Sequence, residues 1–337
     1  MKQKVLETIK KYNLIQNGDK IVLGVSGGPD SISMLDILNE IRIDKTNNLD
    51  FNIVVAHVNH MIREEAEEDL EFVKNFCNKI GVEFYSKSID IQKIANTDKI
   101  GTEEAGRNAR YEFFDEILEK TNSNKIAIAH NKNDKVETII MNMLRGSGIA
   151  GLKGIEPIKN NKYIRPLIEC ERYEIENYCK EKNIEAIIDR TNFENVYTRN
   201  KIRNIIIPYI KNEFNPNIIQ TMDRLSELVK EEDEYLEKLV EQKYQEMLLE
   251  EKTKEIVMDL KKFNKEEKVI KSRILLYTIA RLLGSTKGIE KIHIEDVIKM
   301  CSNNIGNKYL TPNKNIKILL KNHKIYFISQ KWASVVL

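Results

Sequence analysis

Two short stretches of the chain place reactive residue types at spacings that suit chemistry. The first is Ser26-Gly27-Gly28-Pro29-Asp30-Ser31, directly after the apolar run Ile21–Val25. Adjacent glycines open backbone angles closed to other residues and let a ligand approach the main chain. A strand, a glycine turn and a helix start bring unpaired amides and the positive end of a helix dipole to one spot, which makes an anion site. The two serines and the loop amides can cradle pyrophosphate. The Asp30 carboxylate can hold magnesium, an ion that takes one or two carboxylates beside phosphate oxygens. The loop lacks the lysine of a GKS-type P-loop. It suits release of pyrophosphate from ATP, with AMP passed to an acceptor. The second stretch is His130 followed by Asp134 and Glu137. The two acids are three residues apart, so they share a face at a helix start, with His130 just ahead. Acids in a first helical turn also favour the helix dipole on their own, but that leaves the position of His130 unexplained.

Positive charge recurs at matching spacings. Arg107 and Arg110 stand three apart, and Arg199 and Arg203 four apart. Each pair lies on one face of a helix and can reach an anion. The plain alternatives are pairing of the first with Glu103 or Glu104, and a solvated basic face for the second. The stretch Arg145–Ile155 holds four glycines and reads as a mobile loop over the site, with Arg145 available to a phosphate.

The elements that must position these groups alternate. Strands are expected at Ile21–Val25, Phe51–His57, Val82–Ser88 and Lys125–Ala129, and helices at Ser31–Ile41, Glu65–Ile80, Glu103–Glu119 and Asp134–Leu144. That rhythm predicts an α/β, doubly wound parallel sheet. Such sheets bind ligands beyond the carboxyl ends of their strands, where the hexapeptide, His57, His60 and His130 all fall. From Asn215 the pattern changes to long helical runs, Ile218–Leu249, Lys265–Leu283 and His293–Cys301, followed by a hairpin, Ile316–Leu320 and Lys324–Ser329, turned at Asn322-His323. The tail from Asn307 holds six lysines and no acid. A hairpin of that charge suits either phosphate contact or protection of a sheet edge. The expected domains are therefore residues 1–214 and 215–337.

Composition narrows the class. The chain has 337 residues and a formal charge of +2, too small to indicate or exclude nucleic acid. Four isolated cysteines without a CxxC pair argue against a zinc ribbon, a cluster site or a disulfide framework and fit a reduced cytoplasmic protein. The first residues read as an amphipathic helix rather than a signal peptide, and no apolar run is long enough for a membrane span.

The hexapeptide also matches the SGGxDS signature of the ATP pyrophosphatase (PP-loop) superfamily. The stretches HVNHMIR, EEAGRNARYEFF, IAHNKNDKVETIIMNMLRGSGIAGLKGI, IRPLIECERYEIENYC and DRTNFENVYTRNKIRNIIIPYI follow in order over roughly Lys20–Ile210. Together they resemble the tRNA(Ile)-lysidine synthase family. Gly106 stands where that family usually has alanine, a change that weakens a helix and removes no chemistry. Beyond Asn215 the likeness is looser, and the chain resembles a short form without the second C-terminal domain of longer members.

The resemblance implies a PP-loop ATP-binding catalytic domain followed by a mainly helical, tRNA-binding one with a short terminal hairpin. It implies a ligase that adenylates the wobble cytidine of an isoleucine tRNA with a CAU anticodon and then joins L-lysine to C2, using ATP and Mg2+. Ser26, Gly27, Gly28, Pro29, Asp30, Ser31 and His57 would then bind ATP, with Asp30 on the metal. Asp134 and Glu137 would bind lysine. His130, Asp134 and Glu137 are the candidates for the base, beside Asp30 and Arg110 in catalysis. Arg107, Arg145, Arg199 and Arg203 would contact tRNA or phosphate. The family also suggests a homodimer. A tRNA thiolase of the same superfamily fits less well without paired cysteines at the ligand edge, and a GMP- or NAD-forming synthetase without a visible ammonia source. A non-catalytic tRNA- or nucleotide-binding protein would have no use for an intact loop, His130 and both acids.

Overall fold

The computed structural model describes residues 1–59, 66–187, 197–303 and 306–330. His60 and the stretch 188–196 therefore lie outside the described residues. Two compact units divide at Val229/Lys230, inside a long helix rather than at the change of pattern near Asn215.

In the first unit the chain runs α1 (Lys2–Lys11), β1 (Lys20–Gly24), α2 (Pro29–Ile43), β2 (Asn52–Asn59), α3 (Ala66–Ile80), β3 (Glu83–Ser88), α4 (Ile91–Asp98) and α5 (Thr102–Lys120). It continues through β4 (Lys125–Ile128), α6 (Lys132–Leu144), the short α7 (Ile149–Leu152), β5 (Ile158–Lys159), β6 (Tyr163–Ile164) and α8 (Arg172–Glu181). Next come α9 (Thr198–Lys201), a π-helical turn at Ile202–Ile206, α10 (Ile207–Glu213) and the start of α11 (Ile218–Met247). The sheet order is β3-β2-β1-β4-β6-β5, parallel throughout except for the edge strand β5. This is the expected doubly wound sheet. Its order reverses between β1 and β4, and a crevice opens at such a reversal beyond the strand ends.

Side chains alternate across a strand with period two, and both faces of this sheet are covered. Ile21, Leu23, Ile53 and Val55 pack with Leu35, Leu38, Val73 and Ile175 on one side. Val22, Val54 and Ala56 meet Phe113, Phe114 and Ile117 of α5 on the other. Burial on both faces explains why the central strands β1 and β2 read as nearly unbroken apolar runs. At the end of β1 a Cβ on Gly24 would lie 2.5 Å from the Phe114 ring, so only glycine lets α5 pack this close.

Glu169 ties α1 to this core, accepting hydrogen bonds from the Tyr12 hydroxyl at 2.6 Å and from Lys11 Nζ at 2.9 Å. Burial opposes its ionisation, but these partners prevail and hold the carboxyl down to about 2. A folded value below the unfolded one stabilises the native state above the unfolded pKa, and that stability is lost as pH falls through the folded value. Glu169→Gln is expected to cost about 2 kcal/mol at neutral pH, discounted for partial exposure. In denaturant unfolding at a series of pH values, the gap from the parent protein should close progressively below about pH 4.5.

In the second unit, the remainder of α11 is followed by β7 (Leu248–Lys252), β8 (Glu255–Asp259), α12 (Leu260–Lys265), α13 (Lys268–Leu283), α14 (Lys291–Ser302), β9 (Tyr309–Asn313), β10 (Ile316–Lys321) and β11 (Lys324–Ser329). The expected hairpin is present. Asn322 and His323 both take positive φ, 50° and 57°, at its two-residue turn, a conformation that matches the strand twist. The hairpin belongs to a five-stranded antiparallel sheet ordered β7-β8-β11-β10-β9. Neither of its strands is an edge, so edge protection does not account for its lysines.

Candidate active site

The hexapeptide forms the bend between β1 and α2. Gly27 takes φ +95°, and a Cβ there would lie 2.6 Å from Ile187 Cδ1, so glycine is required twice over. Ile187 also donates its amide to the Gly27 carbonyl at 3.1 Å. The Ser31 hydroxyl accepts from the amides of Ser26 (3.1 Å) and Gly27 (3.2 Å) and donates to the Gly28 carbonyl at 3.0 Å, which fixes the bend. Pro29 opens α2, Gly28 precedes it, and no side chain caps the helix. First-turn amides without a cap are the groups that receive an anion.

Across the crevice, β4 ends and α6 begins with a capping box. Asn131 Oδ1 accepts the Asp134 amide at 3.0 Å, and Asp134 Oδ2 accepts the Asn131 amide at 3.1 Å. Asn131 Nδ2 donates to Asp30 Oδ1 at 3.0 Å. One buried amide side chain thus joins the loop after β1 to the helix after β4. Burial, together with the neighbouring Asp134 charge, pushes Asp30 up to about 6. A carboxylate that stays ionised only against this opposition is well suited to a divalent cation.

Asp134 and Glu137 do share a face, and that face is filled by arginines. Glu137 is 1% exposed. Its oxygens accept from Arg199 Nε (2.9 Å), Arg203 Nε (2.6 Å) and Arg203 Nη2 (2.8 Å). Arg203 Nη2 also donates to Asp134 Oδ1 at 3.0 Å, and Arg172 Nη2 approaches Asp134 Oδ1 at 3.5 Å and Glu137 Oε1 at 3.7 Å. Burial disfavours the Asp134 anion, but Arg199, Arg172 and Arg203 outweigh it and keep Asp134 below its ordinary range. Arg203 lies in the π-helical turn, a deviation common at functional sites.

His130 receives a hydrogen bond at Nδ1 from Arg165 Nε, 3.1 Å away. Burial, offset in part by Asp134, lowers its pKa to about 4. His57 is buried and donates from Nδ1 to the Val25 carbonyl at 2.9 Å, leaving its buried Nε2 without a partner. Its side chain therefore ties the ends of β1 and β2 together.

The structure brings Asp30, Asp134, Glu137, Arg199 and Arg203 into one network, with His130 beside it. Arg107 and Arg110 are exposed on α5. The Arg107 guanidinium lies over the Tyr111 ring at 5.6 Å, and its charge reaches His130. Arg145 is exposed at the end of α6, roughly 12 Å along the axis from Glu137 at 1.5 Å per residue. The stretch Arg145–Ile155 contains the short α7.

Three participants were missed from sequence. Arg165 follows β6, the position the strand-end rule singles out, but a two-residue strand gives no sequence signal. Asn131 was detectable as the helix cap three residues before Asp134. Arg172 stands at the start of α8 with nothing in its local sequence to mark it.

Residues 1–210 match the PP-loop domain family. The chain is 43% identical over 329 residues, 97% of its length and 70% of the relative's, to the tRNA(Ile)-lysidine synthase of Clostridioides difficile (strain 630). It is 45% identical over 310 residues, 92% of its length and 66% of the relative's, to the tRNA(Ile)-lysidine synthase of Clostridium acetobutylicum. Among solved structures, the U34-tRNA thiolase NcsA from Methanococcus maripaludis, with its 4Fe-4S cluster, superposes with a TM-score of 0.55 at 21% identity, covering 67% of this chain and 77% of that one. That likeness concerns the fold.

Proposed function

Because the chain belongs to the tRNA(Ile)-lysidine synthase family, whose nucleotide-binding half is a PP-loop domain, we propose that it joins L-lysine to the wobble cytidine of an isoleucine tRNA with a CAU anticodon. In the first step the C2 oxygen of the cytidine attacks the α-phosphorus of ATP and pyrophosphate departs. In the second, the neutral ε-amine of lysine forms a bond to C2 and AMP leaves with the oxygen. The amine must first give up its ammonium proton, which at pH 7 costs about 4.6 kcal/mol.

The observation that carries this reading is the Asn131 bridge between Asp30 and the cap of α6. It makes the anion-binding bend and the carboxylate pair one site at the reversal of strand order. The bend and the uncapped start of α2 receive the phosphates. Asp30, with one oxygen held by Asn131, would hold Mg2+, which neutralises charge on the departing pyrophosphate. Asp134 and Glu137 form a buried anionic pair that already binds cationic side chains, the property a lysine site needs. Arg199 and Arg203 reach the tRNA or its phosphates when lysine takes their place. The unit from Lys230 would bear on the tRNA body through phosphates, and a homodimer fits the family.

A thiolase reading meets a specific obstacle. All four cysteines are free and buried, and burial raises the thiols of Cys77, Cys170 and Cys301 to about 12. Sulfur chemistry needs accessible thiolates. Incubation with CAU-anticodon isoleucine tRNA, ATP and labelled lysine should put label into the tRNA, with one AMP and one pyrophosphate formed per lysine. ATP consumption that does not depend on lysine, with no label in tRNA, would sink the reading.

A further inference from the structure

Two histidines lie near the carboxyl ends of β2 and β4, the strands on either side of β1, and their hydrogen bonds are of opposite kind. His57 Nδ1 faces a carbonyl oxygen at 2.9 Å. A carbonyl only accepts, so Nδ1 carries the proton and Nε2 is bare. His130 Nδ1 faces Arg165 Nε at 3.1 Å. A guanidinium only donates, so here Nδ1 presents its lone pair. A neutral imidazole has one N–H, and in His130 it must sit on Nε2.

We infer that Arg165 is a positioning residue that locks His130 in the Nε2–H tautomer, so that His130 serves the site as a hydrogen-bond donor to a negatively charged oxygen and not as the base. To act as a base, the ring would have to take a second proton. That proton would enter at Nδ1, directly against the Arg165 N–H. Arg165 cannot easily swing aside. It is 5% exposed, its amide donates to the Pro157 carbonyl at 3.0 Å, and its Nη1 donates to the Glu156 carbonyl. The charged groups around His130 are Asp134 on α6, Arg165 after β6, Arg199 on α9 and Arg107 on α5. One anion among three cations disfavours imidazolium, in keeping with the low pKa.

The ligand class that fits is a phosphate or a developing oxyanion, which gains charge in the transition state and is stabilised by a preplaced N–H. That assignment rests on the ligase reading. The tautomer does not, and it can be measured on the unliganded protein.

The test uses the full chain with isotope-labelled histidine and long-range proton–nitrogen correlation, which separates protonated from bare ring nitrogens. His130 is identified as the signal lost in His130→Gln. The expected result is a bare Nδ1 and a protonated Nε2 in His130, the reverse in His57, and no protonation of His130 down to about pH 5. Arg165→Met should release the ring to mixed tautomers and let it titrate closer to about 6.5. In turnover, His130→Gln, whose amide N–H reaches the place of Nε2–H, should exceed His130→Asn by roughly tenfold or more, the scale of one lost transition-state donor. A protonated Nδ1 in the parent protein, titration of parent His130 near 6.5, or an Asn variant as active as the Gln variant would each overturn the proposal; the parent spectrum decides even if Arg165→Met does not fold. The expected tautomer in a protein that puts no lysine into tRNA would refute the ligase reading and leave the lock standing.

Discussion

Asp30→Asn is expected to leave the fold as stable as before, or slightly more so, and to lower ATP-dependent turnover about a thousandfold. The stability half follows from the sign of the shift. Burial and Asp134 raise Asp30 to about 6 in the folded chain. An acid whose folded pKa lies above its unfolded value costs the native state stability as pH rises between the two, and the cost persists above them. At neutral pH that penalty is on the order of 3 kcal/mol. Asparagine removes the charge, and its Oδ1 still accepts the Asn131 hydrogen bond, so the loop stays tied to α6. The activity half follows because a neutral amide oxygen is a far weaker ligand than a carboxylate for magnesium, which relies on one or two carboxylates beside phosphate oxygens. Thermal unfolding at pH 7.5 beside pyrophosphate release in the presence of tRNA separates the two effects. A variant that is both less stable and still active would show that Asp30 packs the bend and holds no metal.

What the sequence made legible follows from where the physics is local. The bend at Gly27 and the start of α2 could be read because φ +95° and an uncapped first turn are written into six adjacent residues. The central strands were legible because burial on both faces leaves an unbroken apolar run. Asp134 and Glu137 were legible as a pair because helical spacing puts them on one face. Their partners were not. Arg172, Arg199 and Arg203 reach that face from α8, α9 and the π-helical turn, and no local pattern tells an arginine bound for a buried carboxylate from one bound for solvent. The strands of the second unit show the same limit. Leu248–Lys252 is largely exposed, at the edge of its sheet, so it lacks the alternation that marks a half-buried strand and reads as the end of the acidic helix before it. His130 is legible from its position at a strand end, whereas its partner Arg165 follows a two-residue strand that leaves no mark in the sequence.

Glu137→Gln is expected to raise the lysine concentration needed for half-maximal turnover by about a hundredfold and to destabilise the fold by about 3 kcal/mol. Asp134 and Glu137 face three guanidinium groups, an excess of one positive charge. Glutamine raises that excess to two and replaces one accepting oxygen with a donor aimed at arginines. Removing one member of a buried pair strands the other, at about 3–5 kcal/mol. The side chains of Arg199 and Arg203 are 28% and 21% exposed, so water recovers part of the loss and the lower end applies. At the proposed lysine site the substrate ammonium would suffer more, because it would compete with these guanidiniums for the same oxygens, and the variant removes one oxygen while leaving every competitor in place. The bend before α2 makes no contact through Glu137, so nucleotide affinity should change little. Titration of lysine at saturating ATP and tRNA, beside nucleotide binding followed by calorimetry, distinguishes the outcomes. An unchanged lysine requirement in a destabilised protein would mean that the carboxylate pair only anchors α9 and the π-helical turn, and that the substrate amine is held elsewhere.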